Sequence, residues 1–120
     1  MKKILVVEDE ADNRRIMRDL LVNAGYEVIE ALTGDEGVAR AEAEVPDLIV
    51  MDIRLPNLDG FEVTRAIKAN RALKDIPVIA VTSHAMSEDN ARAMEAGCDA
   101  YFSKPVSPRT LLGKIREFVS

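Results

Sequence analysis

Two continuous apolar runs in this chain end in carboxylates. Ile4, Leu5, Val6 and Val7 lead into Glu8, Asp9 and Glu10; Leu48, Ile49, Val50 and Met51 lead into Asp52. Four apolar residues in succession, with no polar alternation, fit a strand covered on both faces, and therefore a parallel sheet flanked by helices. In open sheets of that kind, chemistry gathers outside the carboxyl ends of the strands. If the two strands are neighbours, Glu8, Asp9 and Asp52 crowd together. Clustered carboxylates must take up a proton or share a cation. An all-oxygen set suits a hard divalent ion, Mg2+ (or Mn2+).

The same alternation continues through the chain. A helical pattern after Val7 places Ile16, Leu20 and Ala24 on one stripe, with Met17 and Leu21 beside it, and Gly25 closes it. A strand is expected over residues 26–30. Thr33 and Glu36 form a capping-box pattern that opens a second helix toward Glu44, and Pro46 closes the connection. The third strand covers residues 48–51. Asp59 with Glu62 caps a third helix that turns Phe61, Val63, Ile67 and Ala66 inward. Residues 76–81 form the fourth strand, residues 87–96 a helix ending at Gly97, and residues 100–102 the fifth strand. Ser107-Pro108 is an N-cap with proline at the first helical position, and Leu111, Leu112, Ile115, Phe118 and Val119 give the last helix its apolar face. Five strands alternating with five helices predict a doubly wound (βα)5 α/β domain.

A length of 120 residues suits one domain over 1–120, and 48% hydrophobic residues suffice for its core. A net charge of -5 provides no basic footprint for nucleic acid. No apolar run approaches the roughly 20 residues of a membrane span, and the start is too short for a signal peptide. Cys98 is the only cysteine, so neither a disulfide framework nor a zinc site of the usual kind is expected. It reads as a small packed apolar residue. A reducing cytoplasm is the simplest location. The five methionines read as core and rim filler.

The strand ends carry Glu8 and Asp9, then Asp52, then Thr82-Ser83, then Lys104-Pro105. This set fits an acyl phosphate on Asp52. A metal held by Asp9 and Asp52 would neutralise phosphoryl oxygens, Lys104 would add positive charge, and Thr82 would donate a hydrogen bond. Phosphoryl transfer needs little beyond such charge compensation and in-line positioning. Asp52 would be the nucleophile.

These residues resemble a known family, the response-regulator receiver domains of two-component signalling. The matching segments are Val6-Val7-Glu8-Asp9-Glu10, Met51-Asp52-Ile53-Arg54-Leu55-Pro56 with Asp59-Gly60, Val81-Thr82-Ser83, and Lys104-Pro105. The resemblance spans the chain and looks like that of stand-alone receivers, such as chemotaxis and cell-cycle regulators without an output domain. It implies a flavodoxin-like sheet in the order 2-1-3-4-5. It also implies that Asp52 accepts a phosphoryl group from a histidine kinase or a phosphotransfer protein. Asp9, Asp52 and the Arg54 carbonyl would bind Mg2+, with Glu8 acting through water. Thr82 and Tyr101 would form the switch pair, remodelling the face of the fourth helix, fifth strand and fifth helix that binds a downstream protein. Lys104-Pro105 would be cis. Arg54, Ser83, His84 and Pro105 would border the site, and Glu8 replaces the family's commoner aspartate.

On this reading the chain is not an enzyme beyond its own phosphorylation and dephosphorylation. Alternatives are a phosphorelay intermediate, a phosphorylation-independent interaction domain, and a Mg2+-dependent aspartyl-phosphate phosphatase. Such phosphatases usually carry an aspartate two residues after the nucleophile, where this chain has Arg54. No glycine-rich phosphate loop of the flavodoxin type follows Val7.

Overall fold

The computed structural model describes residues 1–55, 58–82 and 89–119. The elements are β1 (Lys3–Val7), α1 (Ala11–Asn23), β2 (Glu27–Ala31), α2 (Gly34–Glu44), β3 (Leu48–Asp52), α3 (Gly60–Ala69), β4 (Val78–Thr82), α4 (Asp89–Ala96), β5 (Ala100–Ser103) and α5 (Pro108–Val119). All strand pairs are parallel, and the sheet order is β2-β1-β3-β4-β5, as the resemblance implied.

Side chains of successive strand residues point to opposite faces, so each apolar run fills two cores. In β1, Leu5 and Val7 join Ile49, Met51, Phe61 and Ile67 on the side of α2, α3 and α4. Ile4 and Val6 join Leu21, Val50, Leu111 and Ile115 on the side of α1 and α5. Each large side chain buried here contributes about 1.5–3 kcal/mol of transfer free energy. Register then fixes the sheet edge: Val7 pairs with Met51, Asp52 with Val81 and Thr82 with Ser103.

The capping signals act as expected. Thr33 accepts a hydrogen bond from Glu36 N at 3.1 Å, Asp59 from Glu62 N at 3.0 Å, and Ser107 from Thr110 N at 3.5 Å. Gly25 and Gly97 follow α1 and α4 with φ of 97° and 108°. At the opposite sheet edge, two aspartates prolong the ladders. Asp47 accepts from Lys3 N, and Asp99 accepts from Val78 N, each at 2.8 Å. Lys68 reaches Asp99 at 3.1 Å and the Ile76 carbonyl at 2.7 Å, tying the end of α3 to the starts of β4 and β5.

Several faces differ from expectation. Ile16 is 63% exposed, and α1 packs instead through Met17, Leu20 and Leu21. Spacing of i, i+4, i+8 drifts around a helix of 3.6 residues per turn, whereas 17, 20 and 21 stay on one side. Ala66 is exposed; its neighbour Thr64 is buried and donates to the Gly60 carbonyl at 2.8 Å. Phe118 lies at the rim, not in the core. Met51 is core, but Met1 and Met94 are exposed. The fourth strand starts at Val78, because Pro77 has no N–H for the ladder. Residues 87 and 88, expected in the fourth helix, lie outside the described residues.

Val45 ends α2 in the left-handed region, with φ 45° and ψ 68°. A β-branched residue there is strained, by about 1–2 kcal/mol. Val45 is also half exposed and outside both cores. Val45→Gly should therefore stabilise the domain by about 1 kcal/mol, the relief of strain exceeding the added chain entropy. Urea unfolding checks this, and an unchanged or lower midpoint contradicts it.

Candidate functional site

Because β1 and β3 are adjacent, the residues at their ends meet. Carboxylate oxygens of Glu8, Asp9 and Asp52 lie within 4.8 Å of one another. Glu8 and Asp52 are buried, while Asp9 faces solvent. Lys104, on the loop after β5, places Nζ 2.7 Å from Glu8 Oε1 and 3.6 Å from Asp52 Oδ2. The other Asp52 oxygen, Oδ1, accepts from Arg54 N at 2.9 Å. The loop carrying Lys104 is fixed by its own backbone, since Lys104 N donates to the Thr82 carbonyl at 2.7 Å.

Burial alone would lower the Lys104 pKa, but the hydrogen bond to Glu8 and the charges of Glu8 and Asp52 outweigh it. The net shift is upward. The ammonium thus holds its proton more tightly in the folded state than in the unfolded one. Its contribution to stability is complete below the ordinary lysine value of about 10.4 and is lost as pH rises through the folded value. Burial also raises the Cys98 thiol, with smaller opposing help from its contact to Thr64, so this buried cysteine stays neutral near pH 7.

Thr82 is the last residue of β4 and fully buried. Tyr101, in β5, packs against the core on the α2–α3–α4 side, with its hydroxyl oxygen buried. The Lys104–Pro105 peptide bond is cis, and Pro105 is exposed at the rim. The Arg54 side chain is exposed, and its backbone lies beside Asp52. Ser83 and His84, expected at the border, lie outside the described residues.

Two features of the site were not legible in the sequence. Arg14, one turn into α1, donates through Nη1 to the Glu8 carbonyl at 3.1 Å and reaches the Asp9 carbonyl at 3.5 Å. Its place six residues after Glu8 and five after Asp9 was the available signal. A cleft of about 480 Å³ also adjoins the site, lined by Glu8, Ile16, Met17, Leu20, Lys104 and Leu111. Reading Ile16 as core concealed it.

Gly60 matters through what it lacks. A Cβ there would come within 2.6 Å of Ile53 Cα and 3.0 Å of the Asp52 carbonyl oxygen. The start of α3 thus rests directly on the backbone that carries Asp52, where Gly60 N donates to the Ile53 carbonyl at 2.8 Å. The donor set, three carboxylates with one open to solvent, fits a hard divalent cation.

A family model for the response regulator receiver domain matches residues 4–116. The polar-differentiation response regulator DivK of Brucella ovis is 42% identical over 118 residues, covering 98% of this chain and 96% of that protein. Among solved structures, the chemotaxis protein CheY4 of Vibrio cholerae has a TM-score of 0.91 at 30% identity, covering 98% of each chain. The receiver domain of a sensor histidine kinase from Pseudomonas aeruginosa, solved with a magnesium ion coordinated in its active-site cleft, has a TM-score of 0.91 at 34% identity. That match covers 98% of this chain and 97% of the other.

Two outcomes follow from this geometry. Gly60→Ala should push the Asp52–Ile53 backbone and lower both the urea midpoint and the rate of phosphoryl acceptance; a variant matching wild type in both contradicts the contact argument. The stability advantage of wild type over Lys104→Met, measured by urea unfolding, should hold steady from pH 7 to about 10 and shrink at higher pH. A difference that grows above pH 10.4 contradicts the upward shift.

Proposed function

Because this chain belongs to the response-regulator receiver family, we propose that Asp52 is its phosphoacceptor and that Glu8, Asp9, Asp52, Thr82 and Lys104 form its phosphoryl-transfer site. The observation that carries this reading is the convergence of three carboxylates within 4.8 Å under a lysine 2.7 Å from one of them. A carboxylate oxygen of Asp52 attacks the phosphorus of a phosphohistidine. The new P–O bond forms as the P–N bond breaks, and the electron pair leaves with the imidazole, which takes up a proton. The donor is a histidine kinase or a phosphotransfer protein.

Asp9, Asp52 and the Arg54 carbonyl would hold Mg2+ (or Mn2+), with Glu8 contributing through water; once bound, the ion supplies positive charge to the phosphoryl oxygens. Lys104 would add a second positive charge. It already faces Asp52 at 3.6 Å and needs no large movement. Arg54 N–H keeps the Asp52 carboxylate oriented. Arg54 and Pro105 lie beside Asp52 and Lys104 and would govern access of the water that hydrolyses the acyl phosphate.

Thr82 and Tyr101 form the switch. The Thr82 hydroxyl turns toward the arriving phosphoryl group, and the ring of Tyr101 occupies the space beside it. The change is read out on the face of α4, β5 and α5, which binds a downstream protein. Receiver domains are signalling proteins, and on this reading the only chemistry here is the chain's own phosphorylation and dephosphorylation. No helix among the described residues is long and apolar enough to cross a membrane. We assign the chain to the cytoplasm, in keeping with a single, buried cysteine, Cys98, that offers no disulfide framework.

Intact-protein mass after incubation with a small phosphodonor, with and without Mg2+, tests this. Wild type should gain one phosphoryl group only with Mg2+, and Asp52→Asn should gain none. Labelling of Asp52→Asn at wild-type levels would overturn the assignment. Lys104→Ala should remain folded by circular dichroism yet bind its downstream target more weakly after phosphorylation. An unfolded Lys104→Ala protein, or one that signals fully, contradicts the role given to the lysine.

A further inference from the structure

The loop that presents Glu8 and Asp9 is held from behind. Arg14 Nη1 donates to the Glu8 carbonyl at 3.1 Å and reaches the Asp9 carbonyl at 3.5 Å. The Nε side of the same guanidinium lies 3.3 Å from Glu30 Oε1, at the end of β2. Glu30 is itself steadied, because Arg18 Nη1 lies 3.5 Å from its other oxygen and Arg40 Nε donates to its carbonyl at 3.2 Å. One backbone bond runs beside this strap, from Glu8 N to the Ala31 carbonyl at 3.0 Å. The Arg14 side chain is only 18% exposed. Carboxylates this close repel, and a loop with free carbonyls would relax by turning them apart. A planar fork that grips two carbonyls and a carboxylate at once resists that turn, and a lysine cannot reproduce it.

We propose that Arg14, anchored by Glu30, is a positioning residue for the divalent cation at Glu8, Asp9 and Asp52. This rests on the cation reading given above. Arg14 touches only the backbone of that loop, so it acts through the placement of Glu8 and Asp9. Two physical effects of Arg14 on the cation have opposite signs, which makes the proposal decidable. As a nearby positive charge it would weaken cation binding, and its removal would tighten it. As the clamp of the loop it strengthens binding, and its removal weakens it. Groups that orient ligands from outside a metal's contact shell typically change affinity by about 10–100-fold. Here the like charge opposes the gain, so the low end of that range is expected.

The test is a Mg2+ titration of the full chain, followed by amide NMR shifts of the Glu8–Asp9 loop. Wild type, Arg14→Gln, Arg14→Lys, Glu30→Gln and the Arg14→Gln/Glu30→Gln double variant are compared, with urea midpoints measured beside them. Arg14→Gln should bind Mg2+ about 10-fold more weakly. Glu30→Gln keeps the arginine charge but loosens the fork, and it should weaken binding in the same direction. The double variant should be no weaker than Arg14→Gln alone, since both remove one strap. Arg14→Lys should fail to restore wild-type affinity. Unchanged or tighter binding in Arg14→Gln overturns the proposal, as does full affinity in Arg14→Lys. If Arg14→Gln does not fold, Glu30→Gln decides alone, and wild-type affinity there overturns it. Absence of Mg2+ binding in wild type would overturn the cation reading itself, and this inference with it.

Discussion

Three carboxylates share one end of the sheet, and everything around them serves to keep them there. At a separation of about 4 Å and an effective dielectric of about 20, two such charges repel by about 4 kcal/mol. Lys104 answers this from the inner side, 2.7 Å from Glu8 and 3.6 Å from Asp52. It lies 96 residues from Glu8 along the chain, so the compensation exists only when β5 has docked on β4 and β3 on β1. The exposed carboxylate, Asp9, is not among the groups Lys104 contacts. The cluster is thus open on its solvent side, while Lys104 neutralises its buried side.

The order of strands explains why this cluster can form on such a small domain. Placing β1 beside β3 brings the first and third crossovers to one point, and β4 and β5 then add Thr82 and Lys104 from one side only. The five helices do not hold the sheet equally. Through α3, Phe61, Val63 and Ile67 are buried, and through α5, Leu111, Ile115 and Val119. Among the described residues of α4, only Ala93 and Ala96 are buried, supplemented by Arg92 stacked 4.4 Å from the centre of the Phe61 ring. Burial scales with apolar area, so displacing α4 costs less than displacing α3 or α5. α4, held by less buried apolar area than α3 or α5, is also the helix that follows β4, whose last residue is Thr82.

Strand ends and caps were legible in the sequence because their determinants are local. The runs ending at Glu8 and Asp52, the Thr33 and Asp59 caps, and Gly25 and Gly97 each need only a few consecutive residues to be recognised. Helix faces were legible less well. Ile16, Ala66 and Phe118 are apolar at plausible spacing, yet each sits at a rim, since orientation depends on how the helix lies on the sheet. The pattern of strand ends put Lys104 on the same sheet edge as Glu8 and Asp52, but its 2.7 Å contact with Glu8 was not read from it. The Arg14–Glu30 strap was not legible either, because no spacing rule links a residue in α1 to the end of β2. The left-handed Val45 was also hidden: valine gives no sign of such a conformation, and the constraint comes from the sharp connection into Pro46 and β3.

Arg14 and Lys104 divide the work of holding this edge according to their shapes. Lysine ends in a compact charge on a flexible stem, suited to sit between Glu8 and Asp52 and to follow a charge that changes during the reaction. Arginine presents a rigid fork, suited to grip carbonyls whose positions should stay fixed. Lys104 meets the side chains of Glu8 and Asp52; Arg14 meets the backbone that carries Glu8 and Asp9. Exchanging the two would place a flexible point charge where orientation is needed and a rigid fork where adjustment is needed. On the proposed reading, Arg14, Glu30 and the Gly60 contact beneath Asp52 form a stationary frame, and Lys104 is the adjustable charge on its inner side. Phosphoryl chemistry at a carboxylate requires both, since the acceptor must be aligned in advance while its surroundings take up new negative charge.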